Sequence, residues 1–371
     1  MKALLLSLFI AYSPLVYSQC EGESGNFHTN PDLSVGGFVA GTALVGSSVY
    51  LGSDSEVCGH AKVSGKVEII DNSLISDHVI VVGDMDSDGV LISNSIIVQN
   101  TIIMGAISVT RALIKGNVVI EDQVVISGDN DEENKIEISD FVRLSDNVLI
   151  NGSPKISGKA VIGGNVQILG HPTIRGNSKI YGEATISGNA LLDGNPNISN
   201  QVLITDDVFI NGDVRVFGES VLSDRVKIFG ETLILDSHIS DDVTIKDFAY
   251  IKNSLISGRV TIFNGPTVQD TIATDDVQIY GFASVGPGQT NLEGQAQIYG
   301  RSSLLSGAFV SGFAQIYGEA QVAGKVIQRA QVFGNASILS SGVATGDSIV
   351  CGSAILDTTV DSGIHQGLGR K

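Results

Sequence analysis

Residues 156–188 read ISGKAVIGGNVQILGHPTIRGNSKIYGEATISG, and an Ile occupies every sixth place in them. Two residues after each Ile comes Gly, and four residues after it comes a compact side chain such as Ala160, Pro172 or Ser178. Stepping outward, the six-residue spacing runs unbroken from Ile138 to Ile234, and all seventeen positions hold Ile, Leu or Val. The place two residues later holds only Gly, Asn or Asp, from Asp140 to Asp236. A repeat this regular fixes the architecture before any site is considered.

The spacing has a simple physical meaning. Side chains alternate in a short strand, so the aliphatic residue points inward and its two neighbours point outward. A bend follows, and Gly, Asn and Asp tolerate the left-handed backbone that a tight bend requires. The next inward place is a crowded corner that admits only compact groups. Three hexads close one triangular coil of eighteen residues, and coils stack by parallel pairing at about 4.8 Å. The hexad is also legible from Val39 to Val81, from Ile114 to Ile126 and, with one-residue slips, from Ile239 to Leu356. The chain therefore reads as one all-β domain, a single-stranded parallel β-solenoid over 39–356 with about 17–18 coils and a length of roughly 85 Å. Residues 19–38 and 357–371 are expected to cap its ends, because bare sheet edges invite end-to-end pairing.

The segments ISGKAVIGGNVQILG (156–170) and IYGEATISGNALLDG (180–194) resemble the hexapeptide-repeat, left-handed β-helix superfamily. The resemblance spans the whole repeat region. It implies a left-handed coil and favours a homotrimer. It admits acyltransferases, nucleotidyltransferases, carbonic anhydrases and non-enzymatic structural or binding proteins, so it does not choose a function.

The two ends and the charge narrow the field. Lys2, the apolar run Ala3–Ala11 and Val16-Tyr17-Ser18 before Gln19 make residues 1–18 a secretory signal peptide. That run is too short to span a bilayer and no later stretch qualifies, so the protein is expected to be periplasmic, cell-surface or extracellular without an integral membrane segment. A net charge of −18 without a Lys/Arg cluster argues against nucleic acid as partner. Three cysteines allow one disulfide and leave one thiol over. Cys20–Cys58 would tie the new N-terminus to the first coils in a compartment where disulfides persist. Cys351 would then be free or pair between chains.

Interruptions of a repeat are natural places for chemistry. The insertion GDMDSDGVL (83–91) sets Asp84, Asp86 and Asp88 at alternate places before Gly89. This spacing resembles a Ca²⁺ loop, although its twelfth position is Ser95 rather than a bidentate Glu. The competing reading is a solvated acidic turn. A second insertion near 127–137 carries Asp129, Asp131, Glu132 and Glu133 and reads as an exposed loop with a weaker claim to a cation. Catalysis on this scaffold would call for a His base on a projecting loop or three His around zinc. Neither insertion holds a His. His60 and His78 lie eighteen residues apart and would stack on neighbouring coils, with no third partner. No enzymatic activity is expected; the alternative is a transferase-like enzyme with its active site between subunits.

A second pattern rides on the first. QIYG recurs at 278–281, 297–300 and 315–318, followed by QVFG at 331–334; upstream stand KIYG (179–182), RVFG (215–218) and KIFG (227–230). Counting inward residues in threes puts Ile228, Ile245, Ile262, Ile279, Ile298, Ile316 and Val332 on one face. The residues after them point outward as Phe229, Lys246 and then a ladder of Phe263, Tyr280, Tyr299, Tyr317 and Phe333. The residues before them form a second ladder, Gln278, Gln297, Gln315 and Gln331. Such columns can serve the stacking of the coils themselves. They can equally form an interaction surface for a protein subunit or for a glycan whose apolar faces meet aromatic ones.

Overall fold

The computed structural model describes residues 19–129 and 135–367. The expected signal peptide (1–18), residues 130–134 of the second acidic insertion and residues 368–371 lie outside them.

The hexad register holds. All seventeen positions from Ile138 to Ile234 are 0% exposed, and the run continues through Ile239, Ile279, Ile316 and Val332 at the same burial. Burying an Ile or Val side chain is worth roughly 1.5–3 kcal/mol, so these stacked rungs are the main cohesive element of the rod. Each of the seventeen bend residues has a positive φ, from 72° at Asp140 to 47° at Asp236, which explains why no other residue type stands there.

Successive strands fall on three faces. Face 1 pairs Ile156 with Ile174, face 2 pairs Leu144 with Ile162 and face 3 pairs Ile150 with Ile168, each one coil apart and parallel. Face 1 is a 20-stranded sheet, whereas faces 2 and 3 merge into one 35-stranded sheet. The strand Val119–Gly128 joins them by turning from face 2 into face 3 without a break. The molecule is an all-β parallel solenoid of about 18 turns. No α-helix occurs among the described residues.

Three features refine the sequence reading. Acidic bends do more than tolerate positive φ: the carboxylates of Asp140, Asp146, Asp224 and Asp241 accept the bend N–H of the following coil at 2.9–3.2 Å. The coil length also varies, with steps of 17 residues from Ile228 to Ile245, 19 from Ile279 to Ile298 and 16 from Ile316 to Val332. In the short coils the corner leading into face 3 carries buried hydroxyls. Ser220, Ser237 and Ser254 each accept the backbone N–H of the residue above, at 3.2–3.3 Å, and so satisfy donors that the shortened corner would otherwise strand. Finally, parallel pairing extends past Leu356, because Thr359–Val360 and Ile364–Gly367 add one more layer.

The first coil is covered by its own leader. Strand β1 (Gly25–Thr29) runs antiparallel to β2 (Val35–Ala40) and closes the edge of face 1. The Asn30 side chain then mimics a strand: its Oδ1 accepts the Leu51 N–H at 2.8 Å and its Nδ2 donates to the Leu51 carbonyl at 3.0 Å. Cys20 and Cys58 form the expected disulfide, which clamps this cap onto the second coil.

Candidate functional site

Face 1 of the C-terminal half carries the aromatic column that the repeated QIYG phrase foretells. Registered pairs Thr261–Gln278, Gln278–Gln297, Gln297–Gln315 and Gln315–Gln331 place the polar ladder and, two residues on, the aromatic one. The five rings of Phe263, Tyr280, Tyr299, Tyr317 and Phe333 stack at a constant centroid spacing of 4.8 Å, with interplanar angles of 2–9°. The coil spacing imposes this distance, which lies inside the favourable range for parallel rings. Of the amides, Gln315 donates to Gln297 at 3.4 Å, a long bond that adds little.

Stacking decides what the column offers. Each interior ring has both faces covered by its neighbours, so only ring edges and the tyrosine hydroxyls face outward. A sugar cannot lie flat against an interior ring. Burial raises the phenols of Tyr280, Tyr299 and Tyr317 above their ordinary range, so the column stays uncharged at physiological pH. The column is bounded upstream by Lys246, beyond which Phe229 meets Phe209 edge-to-face at 5.3 Å. Downstream it ends at Cys351, which is free and buried beside Phe333.

Two flanks complete the face. Along the corner from face 3 to face 1, Arg225–Asp242, Arg259–Asp276 and Arg329–Asp347 form bidentate pairs between adjacent coils. Hydrogen bonding to each Arg holds Asp242 and Asp347 below the usual carboxylate range. Phe313, 59% exposed, interrupts this ladder; on the opposite corner Phe248 (64%) and Phe282 (72%) stand clear of the surface. From Arg259 to Ser353 this face and its corners carry three Arg (259, 301, 329) against four acids (275, 276, 319, 347), so the strip is close to neutral on a chain of net charge −18. The flanking residues escaped sequence reasoning because their alignment depends on coils of 16, 17 and 19 residues.

No protein-family model matches this chain, and no curated protein matches it either. Its resemblance to the hexapeptide superfamily therefore rests on the repeat and on the three-faced solenoid, with no family assigned.

The other expected sites are less developed. Asp84, Asp86 and Asp88 occupy the corner between faces 2 and 3, where Asp84 Oδ1 accepts the Asp86 N–H and the Lys66 ammonium donates to the Ser87 carbonyl at 2.7 Å. Their carboxylates are not gathered at one point. Among the described residues the only group of three metal-ligating side chains within 4.8 Å is Cys20, Glu56 and Cys58, and its two sulfurs are joined to each other. His60 and His78 meet across neighbouring coils, with centroids 5.3 Å apart and planes tilted by 38°, and no third His or carboxylate joins them. No helix among the described residues is long and apolar enough to cross a membrane.

Proposed function

We propose that this protein is an exported, non-catalytic rod that docks a protein surface, in the first place a second copy of itself, along the aromatic strip of face 1. The observation that carries the reading is a column of edge-presenting rings inside a nearly neutral face. A chain of net charge −18 repels its own copies almost everywhere. The strip lacks that repulsion and offers ring edges, hydroxyls and amides, the mixture found at protein interfaces. Export is supported by the signal-like first eighteen residues and by the Cys20–Cys58 disulfide just after them.

The first and last rings are about 19 Å apart, so a contact confined to the column falls short of the roughly 800 Å² per partner of a standard interface. Phe248, Phe282 and Phe313 widen it, and the resulting association should be reversible and concentration-dependent. Sedimentation of the wild type and of Tyr299→Ser/Tyr317→Ser tests the proposal. The double variant should need at least tenfold more protein to associate while its β-rich circular dichroism is unchanged. A wild-type chain that remains monomeric at high concentration would sink the idea, and retention of that monomer on a neutral glycan would hand the strip to carbohydrate instead.

A further inference from the structure

Two phrases from the sequence, KIYG (179–182) and RVFG (215–218), belong to neither the core nor the face 1 strip. Both set a cation and an aromatic ring on either side of an inward aliphatic residue. The register places them on face 2, two coils apart: Lys179 pairs with Asn197 and Asn197 with Arg215. Two residues further along, Tyr181, Ser199 and Phe217 therefore occupy consecutive layers, consistent with the Tyr181 and Ser199 amides donating to the Ile198 and Val216 carbonyls. The middle layer lacks a ring. We propose that this gap is a binding slot for an acidic sugar, whose pyranose ring takes the vacant rung and whose carboxylate or sulfate meets Lys179 and Arg215.

The geometry supports each half of that statement. Tyr181 and Phe217 are separated by two layers, about 9.6 Å, so a six-membered ring midway lies about 4.8 Å from either. The filled column on face 1 shows that this scaffold holds rings at that separation, 4.8 Å between centroids. Among the described residues neither Tyr181 nor Phe217 stacks on another aromatic ring, so no ring fills the layer between them. Tyr181 has Gly163 on its other side and Phe217 has Leu235. The slot is thus bounded by rings and floored by a serine. Axial C–H groups of a pyranose suit such faces, which are absent inside the face 1 column.

Charge supplies the rest. The slot borders a surface groove lined by Lys159, Lys179 and Arg215, with Asp213 as its one acid. None of the three cations takes part in the ion pairs that engage Arg143, Arg175, Arg225, Arg259 and Arg329. Asp213 is already occupied: Asn177 donates to Asn195 at 2.7 Å and Asn195 donates to Asp213 at 2.6 Å. The other flank of the rings carries Glu183, Glu219 and Asp236, so an anion is favoured only on the side of Lys179 and Arg215, where Arg215 can hold a carboxylate through two N–H groups.

Calorimetry of the whole chain with a uronic-acid tetrasaccharide, and with its neutral methyl ester, separates ring from charge. The acid should bind, the ester at least tenfold more weakly, and added salt should weaken the acid alone. Tyr181→Ser should cost at least tenfold for both ligands, whereas Lys179→Gln/Arg215→Gln should bring the acid down to the level of the ester. Ser199→Phe is the decisive variant, because it fills the vacant rung with a side chain the scaffold accepts. It should abolish binding with the circular dichroism and melting temperature retained. No heat with the acid at millimolar concentration, or unchanged binding by Ser199→Phe, overturns the proposal. So does binding that is lost in Tyr299→Ser/Tyr317→Ser but kept in Tyr181→Ser.

Discussion

On face 1, five consecutive coils from Phe263 to Phe333 each carry a ring, whereas on face 2 the coils of Tyr181 and Phe217 carry one and the coil between them carries Ser199. The layer spacing is the same in both places and the inward rungs are all Ile or Val, although the column's coils run 16 to 19 residues and those at the gap run 18. Occupancy differs, and with it the chemistry. Filled rungs turn ring faces on one another and leave edges for a partner. Alternate rungs leave each ring without an aromatic neighbour, at a separation that one more ring can bridge. Their companions differ as well: neutral Gln beside the column, Lys179 and Arg215 on one flank of the gap and Glu183 and Glu219 on the other. A solenoid can thus obtain two kinds of surface from one repeat by choosing which coils hold an aromatic residue.

That comparison assumes a common core beneath both sites. Ile180→Asp under the slot and Ile298→Asp under the column each bury a carboxylate without a partner, which should cost at least about 3 kcal/mol in urea unfolding. A small cost at either position would mean that the rung is not inward there. A smaller effect tests the difference itself. Tyr299→Ser removes a ring stacked on both sides and should cost about 1–3 kcal/mol, at about 0.5–1.5 kcal/mol per aromatic pair. Tyr181→Ser, which breaks no ring pair, should stay within about 0.5 kcal/mol. Equal losses in the two variants would erase the distinction between filled and vacant rungs.

The smallest expected effect is on pH dependence. Burial raises the folded-state values of Tyr280, Tyr299 and Tyr317, so folding favours their neutral form. The associated stability is complete below the unfolded value near 10 and is lost as pH rises from there through the raised folded values. In a near-ultraviolet titration these phenols should ionise later than in an unfolded control, with the melting temperature falling over the same interval. Coincident titration curves would contradict the burial of the column.

Much of this was legible without coordinates. Ile156 and its sixfold series specified inward rungs, the Gly/Asn/Asp places specified bends, and counting in threes put Ile228 through Val332 on one face despite the slips. The Cys20–Cys58 pairing was also foreseen from the reach of a leader toward the first coils. The orientation of the rings was not legible: Tyr299 in a hexad is outward, but whether it shows a face or an edge depends on the residues one coil above and below. Nor was the Arg225–Asp242 type of pair, since in two of its three instances the partners are seventeen residues apart rather than eighteen. The buried hydroxyls of Ser220, Ser237 and Ser254 looked like ordinary compact corners, and their hydrogen bonds emerge only once a coil is shortened.

The sequence by itself determined what is local and periodic: which residues face the core, where the chain turns, and that the coils form one extended rod. Strand alternation and positive-φ preference act over a few residues, so a string of letters contains them. Tertiary structure alone decided which outward side chains become neighbours, because the parallel lateral contacts join residues 15 to 24 places apart and a single insertion or deletion changes the partner. The face 1 column and the face 2 gap are both products of that alignment.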